Sequence, residues 1–154
     1  MAKAKVTSGI HLWLILMKAY RTLFEISAAD IARSGLCFSD FAILEILLNK
    51  GPMPVNTVGD KAFLTSGSST AAIDRLTRRG LVRRASVKND RRARVVHLTA
   101  NGKKLIAGIF SEHTQVMEQA AHALSHAERA SLITLLKKLG KTAAPVDRKQ
   151  PSSF

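Results

Sequence analysis

The sequence has little cysteine and no long hydrophobic run. Its 154 residues include a single cysteine, Cys37, which excludes an intramolecular disulfide framework and a zinc ribbon built on cysteine pairs. The uninterrupted apolar run near the N-terminus, Leu12 to Met17, ends at Lys18. Such a run is too short for the hydrophobic region of a secretion signal or for a membrane span. We therefore expect a cytoplasmic protein that is not associated with a membrane.

Motifs of catalysis are also missing from the sequence. It contains no Gly-rich phosphate loop, no His-Glu-x-x-His pair and no nucleophile in a recognised motif. We predict that the protein is not an enzyme and that it requires neither a cofactor nor a catalytic metal.

Acidic residues are scarce compared with basic ones. There are 11 acidic residues against 24 basic ones, which gives a net charge of +13, while 46% of the residues are hydrophobic. This composition predicts a globular domain with a polyanionic partner, either nucleic acid or an anionic membrane surface. A membrane-surface protein would need a sustained basic amphipathic helix. The basic residues instead concentrate in one short segment, which favours nucleic acid.

Hydrophobic periodicity and capping residues predict a mainly α-helical chain with a small β-hairpin. The first helix, 7–32, is apolar nearly all round, so it needs a second neighbour, which we expect to be another subunit. The further predicted elements are helices at 39–49 (with Ser39 as N-cap), 55–62 and 66–79, strands at 81–87 and 94–99 joined by a turn at 88–90, a helix from the cap Thr99 to about residue 121, a last helix from the capping box at Ser125 to residue 141, and a loose tail at 142–154. Three helices followed by a basic hairpin indicate a winged helix-turn-helix.

The positive charge is concentrated on the helix at 66–79 and on the hairpin. Residues 74–94 hold nine basic and two acidic residues, so +7 of the net charge lies in 21 residues. At 100° per residue the inward stripe of that helix is Ser69, Ala72, Ile73 and Leu76. Its N-terminal turn is small and polar, and arginines follow one or two turns later, which suits a helix that enters a major groove. A Ser/Thr-rich cap before an ordinary solvated face is the alternative, but two adjacent basic elements favour a nucleic-acid footprint.

Two stretches, LTSGSSTAAIDRLTRRGLV and NDRRARVVHLT, closely resemble the recognition helix and wing of the MarR family of transcriptional regulators. The matching positions are Leu64, Thr65, Gly67, Thr70, Asp74, Arg75, Leu76, Gly80, Asp90, Arg92, Leu98 and Thr99. The resemblance extends roughly from Ile10 to Lys141. GPMPVNTVGDKAFLTSGSST and LITLLKKLGK are similar to a branch of the family that contains catechol- and quinone-responsive repressors.

The resemblance implies a homodimer on a pseudo-palindromic site in double-stranded DNA. Residues 7–34 and 100–141 would form the dimerisation helices, and 36–99 the winged helix-turn-helix lobe. The recognition helices would enter successive major grooves, and each wing would reach an adjacent minor groove.

The resemblance also assigns roles to individual residues. Arg92 would be the wing-tip residue in the minor groove, and Asp90 would orient the wing arginines by a charge-assisted pair. Many members carry Arg where this sequence has Ala71, so base reading is expected to fall more on Arg75 or on the serines. The residues predicted to contact DNA are Ser66, Ser68, Ser69, Thr70, Arg75, Arg78, Arg91, Arg92 and Arg94. For Arg91 and Arg94, phosphate binding and simple solubility stay open.

In this family a small effector lodges between the dimerisation helices and the DNA-binding lobe and alters the spacing of the recognition helices. We therefore expect a repressor that a small ligand, phenolic or quinone-like by the branch resemblance, releases from DNA. The predicted pocket residues are His11, Trp13, Met17, Phe38 and Phe41. Ordinary core packing is the alternative for each of them.

Three other functions are compatible with the sequence. A thiol switch would use Cys37, although we expect that thiol to be buried and inert. A metal switch would use His113, Glu118, His122 and His126, although Ser125 interrupts the helix before the last histidine. An architectural DNA-binding protein without an effector would share all the basic features.

Overall fold

The structure, a computed structural model, describes residues 8–87 and 90–143, with side chains described outside 87–93. Its elements in chain order are α1 (Gly9–Arg33), α2 (Phe38–Lys50), β1 (Met53–Pro54), α3 (Val55–Lys61), α4 (Ser66–Arg78), β2 (Val82–Val87), β3 (Asp90–Leu98), α5 (Ala100–Ala120) and α6 (His126–Thr142). The chain divides into two compact units, one up to Ala120 and one from Ala121 onward. The predicted mainly α-helical fold with a winged helix-turn-helix is confirmed.

Side chains cap several of the helices. The hydroxyl of Ser8 accepts a hydrogen bond from the N–H of His11 at 3.3 Å and caps α1. In α6, Ser125 and Glu128 form the predicted capping box. The prediction of Ser39 as the N-cap of α2 was wrong, because the helix begins one residue earlier and Cys37 occupies the cap position.

The wing belongs to a three-stranded antiparallel sheet with the order β1-β3-β2. The sequence predicted only a hairpin, because β1 has two residues and is too short to show a period. β1 pairs its Met53 and Pro54 with Val96 and Val95 of β3. β3 begins at Asp90, four residues before the predicted start, and its pairing with β2 shifts register between Ser86 and Val87. Two residues of the predicted turn, 88 and 89, lie outside the described residues.

The core of the first unit is built around α2 and α4. The predicted inward stripe of α4 is confirmed, since Ser69, Ala72, Ile73 and Leu76 are all buried. They pack in one cluster with apolar residues of the other elements, among them Ile31, Ile43, Leu44, Val58, Val82, Val96 and Ile106. Burial of this stripe fixes which face of α4 remains outside.

The N-terminus of α5 is packed tightly against the start of the wing. The hydroxyl of Thr99 donates to the carbonyl of Gly80 at 2.7 Å and accepts from the N–H of Gly102 at 3.0 Å, so the predicted cap is confirmed. A Cβ at Gly102 would lie 1.9 Å from the carbonyl oxygen of Leu81. Only glycine therefore permits this approach of helix to strand.

Two helices leave apolar side chains uncovered. In α1, Ile10, Leu12, Trp13, Leu14, Ile15, Met17 and Tyr20 are exposed, and Trp13 retains 55% of its accessible surface. α6 has no buried residue, and its exposed apolar side chains are Leu132, Ile133, Leu135, Leu136 and Leu139. No helix within the described ranges combines the length and apolar character needed to cross a membrane. Of the predicted tail, Thr142 belongs to α6, and 144–154 lie outside the described residues.

Candidate nucleic-acid interface

The N-terminal turn of α4 presents a small, polar, exposed surface. Ser66, Gly67, Ser68 and Thr70 are exposed, as expected for the small, polar N-terminal turn of the predicted helix. Thr65 caps the helix, accepting a hydrogen bond from the N–H of Ser68 at 3.2 Å. The first turn has no acidic residue to compete for an anion. This end of α4 can therefore approach a polyanion closely, with its N–H groups directed outward.

Ser69 was wrongly included among the DNA-contacting residues. Its side chain is 2% exposed, and its hydroxyl has no hydrogen-bond partner among the residues that the structure describes. It packs against α3, where a Cβ added at Gly59 would lie 2.8 Å from its Oγ. The same 100° period that placed Ser69 in the inward stripe already pointed to burial.

Arg75 does not project freely outward as predicted. Its guanidinium turns toward α2, where Nη2 lies 2.6 Å and Nε 3.0 Å from the carboxylate oxygens of the buried Asp40. The hydrogen bond to Asp40 raises the pKa of Arg75 above its ordinary value. Arg79 approaches the same carboxylate at 3.8 Å. Arg75 therefore fixes α4 on α2, and its predicted contact with DNA stays a prediction.

A groove of about 660 Å³ separates α4 from the wing. Thr70 and Asp74 line it from α4, Arg84 from β2 and Arg94 from β3. Pro54, Val55 and Asn56 close its far side. The structure thus brings two of the predicted DNA-contacting residues, Thr70 and Arg94, to one surface.

An ion pair joins the recognition helix to the wing. Nη1 of Arg84 lies 2.5 Å from Oδ1 of Asp74. In the sequence, Arg84 stood out only as one of the nine basic residues of 74–94. No sequence pattern indicated that Asn56 would line the groove. The ion pair fixes Arg84 at the groove and neutralises the acidic side chain of the outer face of α4.

The remaining described arginines of the basic segment are available to a ligand. Arg78, Arg83 and Arg94 are exposed and form no ion pair with any side chain that the structure describes. They lie on α4, β2 and β3, respectively, on both elements of the predicted footprint. Their charges are therefore not compensated within the described part of the chain.

Part of the predicted wing tip lies outside the described side chains. The backbone of Asp90, Arg91 and Arg92 belongs to β3. Their side chains fall in the segment whose side chains are not described. The minor-groove role of Arg92, the orienting role of Asp90 and the DNA contact of Arg91 stay predictions.

A second groove, of about 530 Å³, has an apolar lining. It is lined by Tyr20, Leu23, Phe24 and Ser27 of α1, Phe38 of α2, Ala62, Phe63 and Leu64 of the α3–α4 loop, and Met117 of α5. Of the five predicted effector residues, only Phe38 lines this groove. Phe41 is buried in the core, and Trp13 and Met17 are exposed on α1. His11 is half-buried near the start of α1.

The aromatic rings of this groove form a continuous row. The ring centroids of Tyr20 and Phe24 are 5.8 Å apart, and those of Phe24 and Phe38 are 5.0 Å apart. Sequence periodicity marked these residues as apolar helix positions, but only the fold brings α1 and α2 together. The groove could hold a planar aromatic molecule.

The alternative sensing residues are placed differently from the predictions. Cys37 is exposed, so the prediction of a buried thiol was wrong. His113 is buried, with Nδ1 2.8 Å from Asp30 and Nε2 3.3 Å from the hydroxyl of Ser27. In the described ranges, no group of three His, Cys, Asp or Glu side chains is arranged to hold a metal ion.

Comparison with known proteins identifies the chain's relatives. Residues 34–93 match the MarR family. The chain is 33% identical to the HTH-type transcriptional regulator MhqR of Bacillus subtilis over 135 residues, which is 88% of this chain and 93% of MhqR.

Two solved structures show the same fold with named small molecules. One concerns the regulation of DNA binding of Bordetella bronchiseptica BpsR by 6-hydroxynicotinic acid, with 26% identity, a TM-score of 0.74 and coverage of 84% of this chain and 98% of BpsR. The other is NadR in complex with 4-hydroxyphenylacetate, with 25% identity, a TM-score of 0.74 and coverage of 88% of this chain and 95% of NadR. MhqR and the family matched by residues 34–93 are transcriptional regulators and not enzymes. The chain belongs to the MarR family and is a DNA-binding transcriptional regulator.

Proposed function

We propose that the protein is a homodimeric repressor that occupies a pseudo-palindromic operator and leaves it when a small aromatic ligand binds. The observation that carries the DNA-binding part is the groove between α4 and the wing, where Thr70 and Arg94 meet at one surface. Small polar groups on the helix suit base edges, and an uncompensated arginine on the wing suits phosphate or the minor groove. Arg92 at the wing tip would extend this contact into the minor groove.

Uncovered apolar surface supports the dimer. Trp13 and Ile10 retain 55% and 65% of their accessible surface on α1, and the neighbouring leucines and isoleucines are also exposed. A contiguous apolar face of this kind on a water-soluble chain marks an interaction surface. Because oligomers of identical chains commonly form closed two-fold dimers, two copies would present two lobes to two half-sites.

The apolar groove supports the ligand. It is lined by three rings from α1 and α2 and by the loop that leads into α4. The two structural relatives with named ligands are associated with hydroxylated aromatic molecules, 6-hydroxynicotinic acid and 4-hydroxyphenylacetate. For this chain we propose a phenolic or quinone-like ligand, since that is also the class implied by the branch resemblance.

A gel shift and a footprint on DNA upstream of the protein's own gene test the repressor. We expect discrete, symmetric protection of the DNA. The logarithm of the affinity should fall linearly with the logarithm of the salt concentration, with a slope of roughly 0.9 for each phosphate that the protein neutralises. Arg92→Ala should weaken binding by about 1–3 kcal/mol without changing the melting temperature. Uniform coating of the DNA would instead show an architectural protein, and an unchanged affinity of Arg92→Ala would remove the wing assignment.

Cys37 offers a second candidate, release of DNA by thiol modification. Its Sγ is exposed and lies 3.4 Å from Nη2 of Arg75, a side chain of α4. A change at this sulfur would therefore be adjacent to the contact that fixes α4. Peroxide should release DNA from the wild type and not from Cys37→Ser. Equal release from both proteins would exclude Cys37 as the sensor.

A further inference from the structure

Phe63 occupies a position that is unfavourable for phenylalanine in two respects. Its φ of +54° lies in the left-handed region, where side chains other than glycine are strained. Its side chain is 97% exposed, so the ring gains almost nothing from the core. The fold of this chain alone therefore gives no reason to keep an aromatic ring at residue 63.

The backbone geometry explains why a left-handed residue is needed there. The N–H of Phe63 donates to the carbonyl of Asp60 at 3.2 Å, and the N–H of Leu64 donates to the carbonyl of Gly59 at 2.9 Å. These two bonds form a Schellman motif at the end of α3, with Phe63 in the position that glycine usually occupies. Glycine would make the same turn without strain. A residue that breaks a local rule without a compensating contact points to function.

The position of Phe63 suggests what the ring serves. It lines the apolar groove together with Tyr20, Phe24 and Phe38, whose rings already form a row. It also lies two residues before Thr65, the N-cap of α4. One loop residue thus lines the groove and belongs to the short connection into the recognition helix.

The lining defines the chemistry of the ligand. Among the residues that the structure describes, the groove carries no charged side chain, and its polar side-chain groups are the hydroxyls of Tyr20 and Ser27. A carboxylate placed there would lose hydration without meeting a cation. An uncharged ring with a hydroxyl group would stack on the aromatic row and retain a hydrogen-bonding partner.

We propose that Phe63 is the ring that closes over an uncharged, hydroxylated planar aromatic ligand in this groove, and that it couples occupancy of the groove to the recognition helix. This inference rests on the proposed ligand-released repressor. Contact between ring and ligand stabilises only those loop conformations in which residue 63 faces the groove. The same loop leads into the cap of α4, so the ligand would bind more tightly to the protein in some placements of α4 than in others. Such a difference in ligand affinity is what a ligand needs in order to change DNA binding.

Three variants separate the ring from the backbone strain. Phe63→Gly removes both, Phe63→Ala removes the ring and keeps the strain, and Phe63→Tyr keeps both. We expect Phe63→Gly to melt roughly 2–4 °C above Phe63→Ala and all three variants to bind upstream DNA as the wild type does. By isothermal titration calorimetry, 2-naphthol should bind Phe63→Gly and Phe63→Ala roughly 3- to 10-fold more weakly than the wild type. Phe63→Tyr should retain both the affinity for 2-naphthol and the release of DNA. The carboxylate 2-naphthoate should bind the wild type and all three variants more weakly than 2-naphthol binds the wild type.

The contrary outcomes are distinct. If the wild type binds 2-naphthol and releases DNA, and Phe63→Gly does the same, the role of Phe63 is overturned while the ligand-released repressor stands. If 2-naphthoate binds as well as 2-naphthol, the ligand class is wrong. If the glycine variant shifts the monomer–dimer equilibrium in sedimentation, the ring belongs to the interface with a second copy and the proposal fails. If wild-type protein binds DNA but not 2-naphthol, the groove is not the ligand site.

Discussion

Arg75 in the recognition helix holds the buried carboxylate of Asp40 in α2 by three contacts of 2.6, 3.0 and 3.1 Å. Asp40 is 2% exposed, whereas the side chain of Arg75 is 41% exposed. The pair therefore joins the interior of the lobe to α4.

Arg75→Ala should destabilise the protein by about 2–3 kcal/mol, because it leaves a buried carboxylate whose remaining cation, Arg79, lies 3.8 Å away. The loss stays below that of a fully buried pair, since Arg75 itself is partly in water. Urea denaturation measures it. Arg78→Ala, on the same helix but exposed, is the control and should change stability by less than about 0.5 kcal/mol. Equal stabilities of the two variants would contradict a structural role for Arg75.

Ser69→Ala should leave DNA affinity unchanged and leave stability unchanged or raised by about 1 kcal/mol. The reason is that the hydroxyl is buried and has no partner within the described part of the chain. Ser68→Ala is the matched control, because Ser68 is exposed one residue away on the same turn. We expect only the Ser68 variant to weaken binding in a gel shift. If Ser69→Ala loses DNA affinity while its melting temperature equals that of the wild type, Ser69 does contribute to DNA binding.

Arg94→Ala should weaken DNA binding for specific and unrelated sequences alike and reduce the salt slope by about one unit. Arg94 is exposed and lines the groove between α4 and the wing. Fluorescence anisotropy over a series of salt concentrations gives both quantities. Lys18→Ala removes the same charge from α1 and should leave the slope unchanged. If the two variants have the same slope, Arg94 serves solubility and not phosphate binding.

Gly102→Ala should destabilise the protein by about 2 kcal/mol or more, since the new Cβ would lie 1.9 Å from the carbonyl oxygen of Leu81 and backbone would have to move. Gly108→Ala provides the control in the same helix, because a Cβ there meets nothing within 4 Å. That variant should gain about 0.5–1 kcal/mol from helix propensity. Thermal melting measures both changes. If the melting temperatures of both variants lie above that of the wild type, or both lie below it, the close approach of α5 to the wing is contradicted.

Sequence patterns predicted the features that depend on neighbours along the chain. The inward stripe of α4 follows from the helical period, and the capping box of α6 follows from the spacing of Ser125 and Glu128. The partner of Arg75 could not be predicted in this way, because Asp40 lies 35 residues earlier and meets it only in the folded lobe. β1 was missed because two residues show no period.

Two site residues show why local rules were not sufficient. Phe63 adopts a left-handed backbone conformation at a position where glycine usually signals such a turn, so no sequence pattern indicated the turn. Cys37 is exposed at the N-cap of α2, two residues before the predicted cap, Ser39. In both cases the side chain's surroundings are set by how helices meet, which composition and period do not encode.

β2 is an edge strand, since the sheet order leaves one of its sides without a partner strand within the described residues. Edge strands invite pairing with strands of other molecules, and positively charged side chains oppose it by mutual repulsion. Arg83 is exposed on this strand, and Arg84 follows it. The exposed charge of Arg83 would therefore oppose pairing of two wings in the absence of DNA, so we expect variants that neutralise the wing to lose solubility as well as DNA affinity.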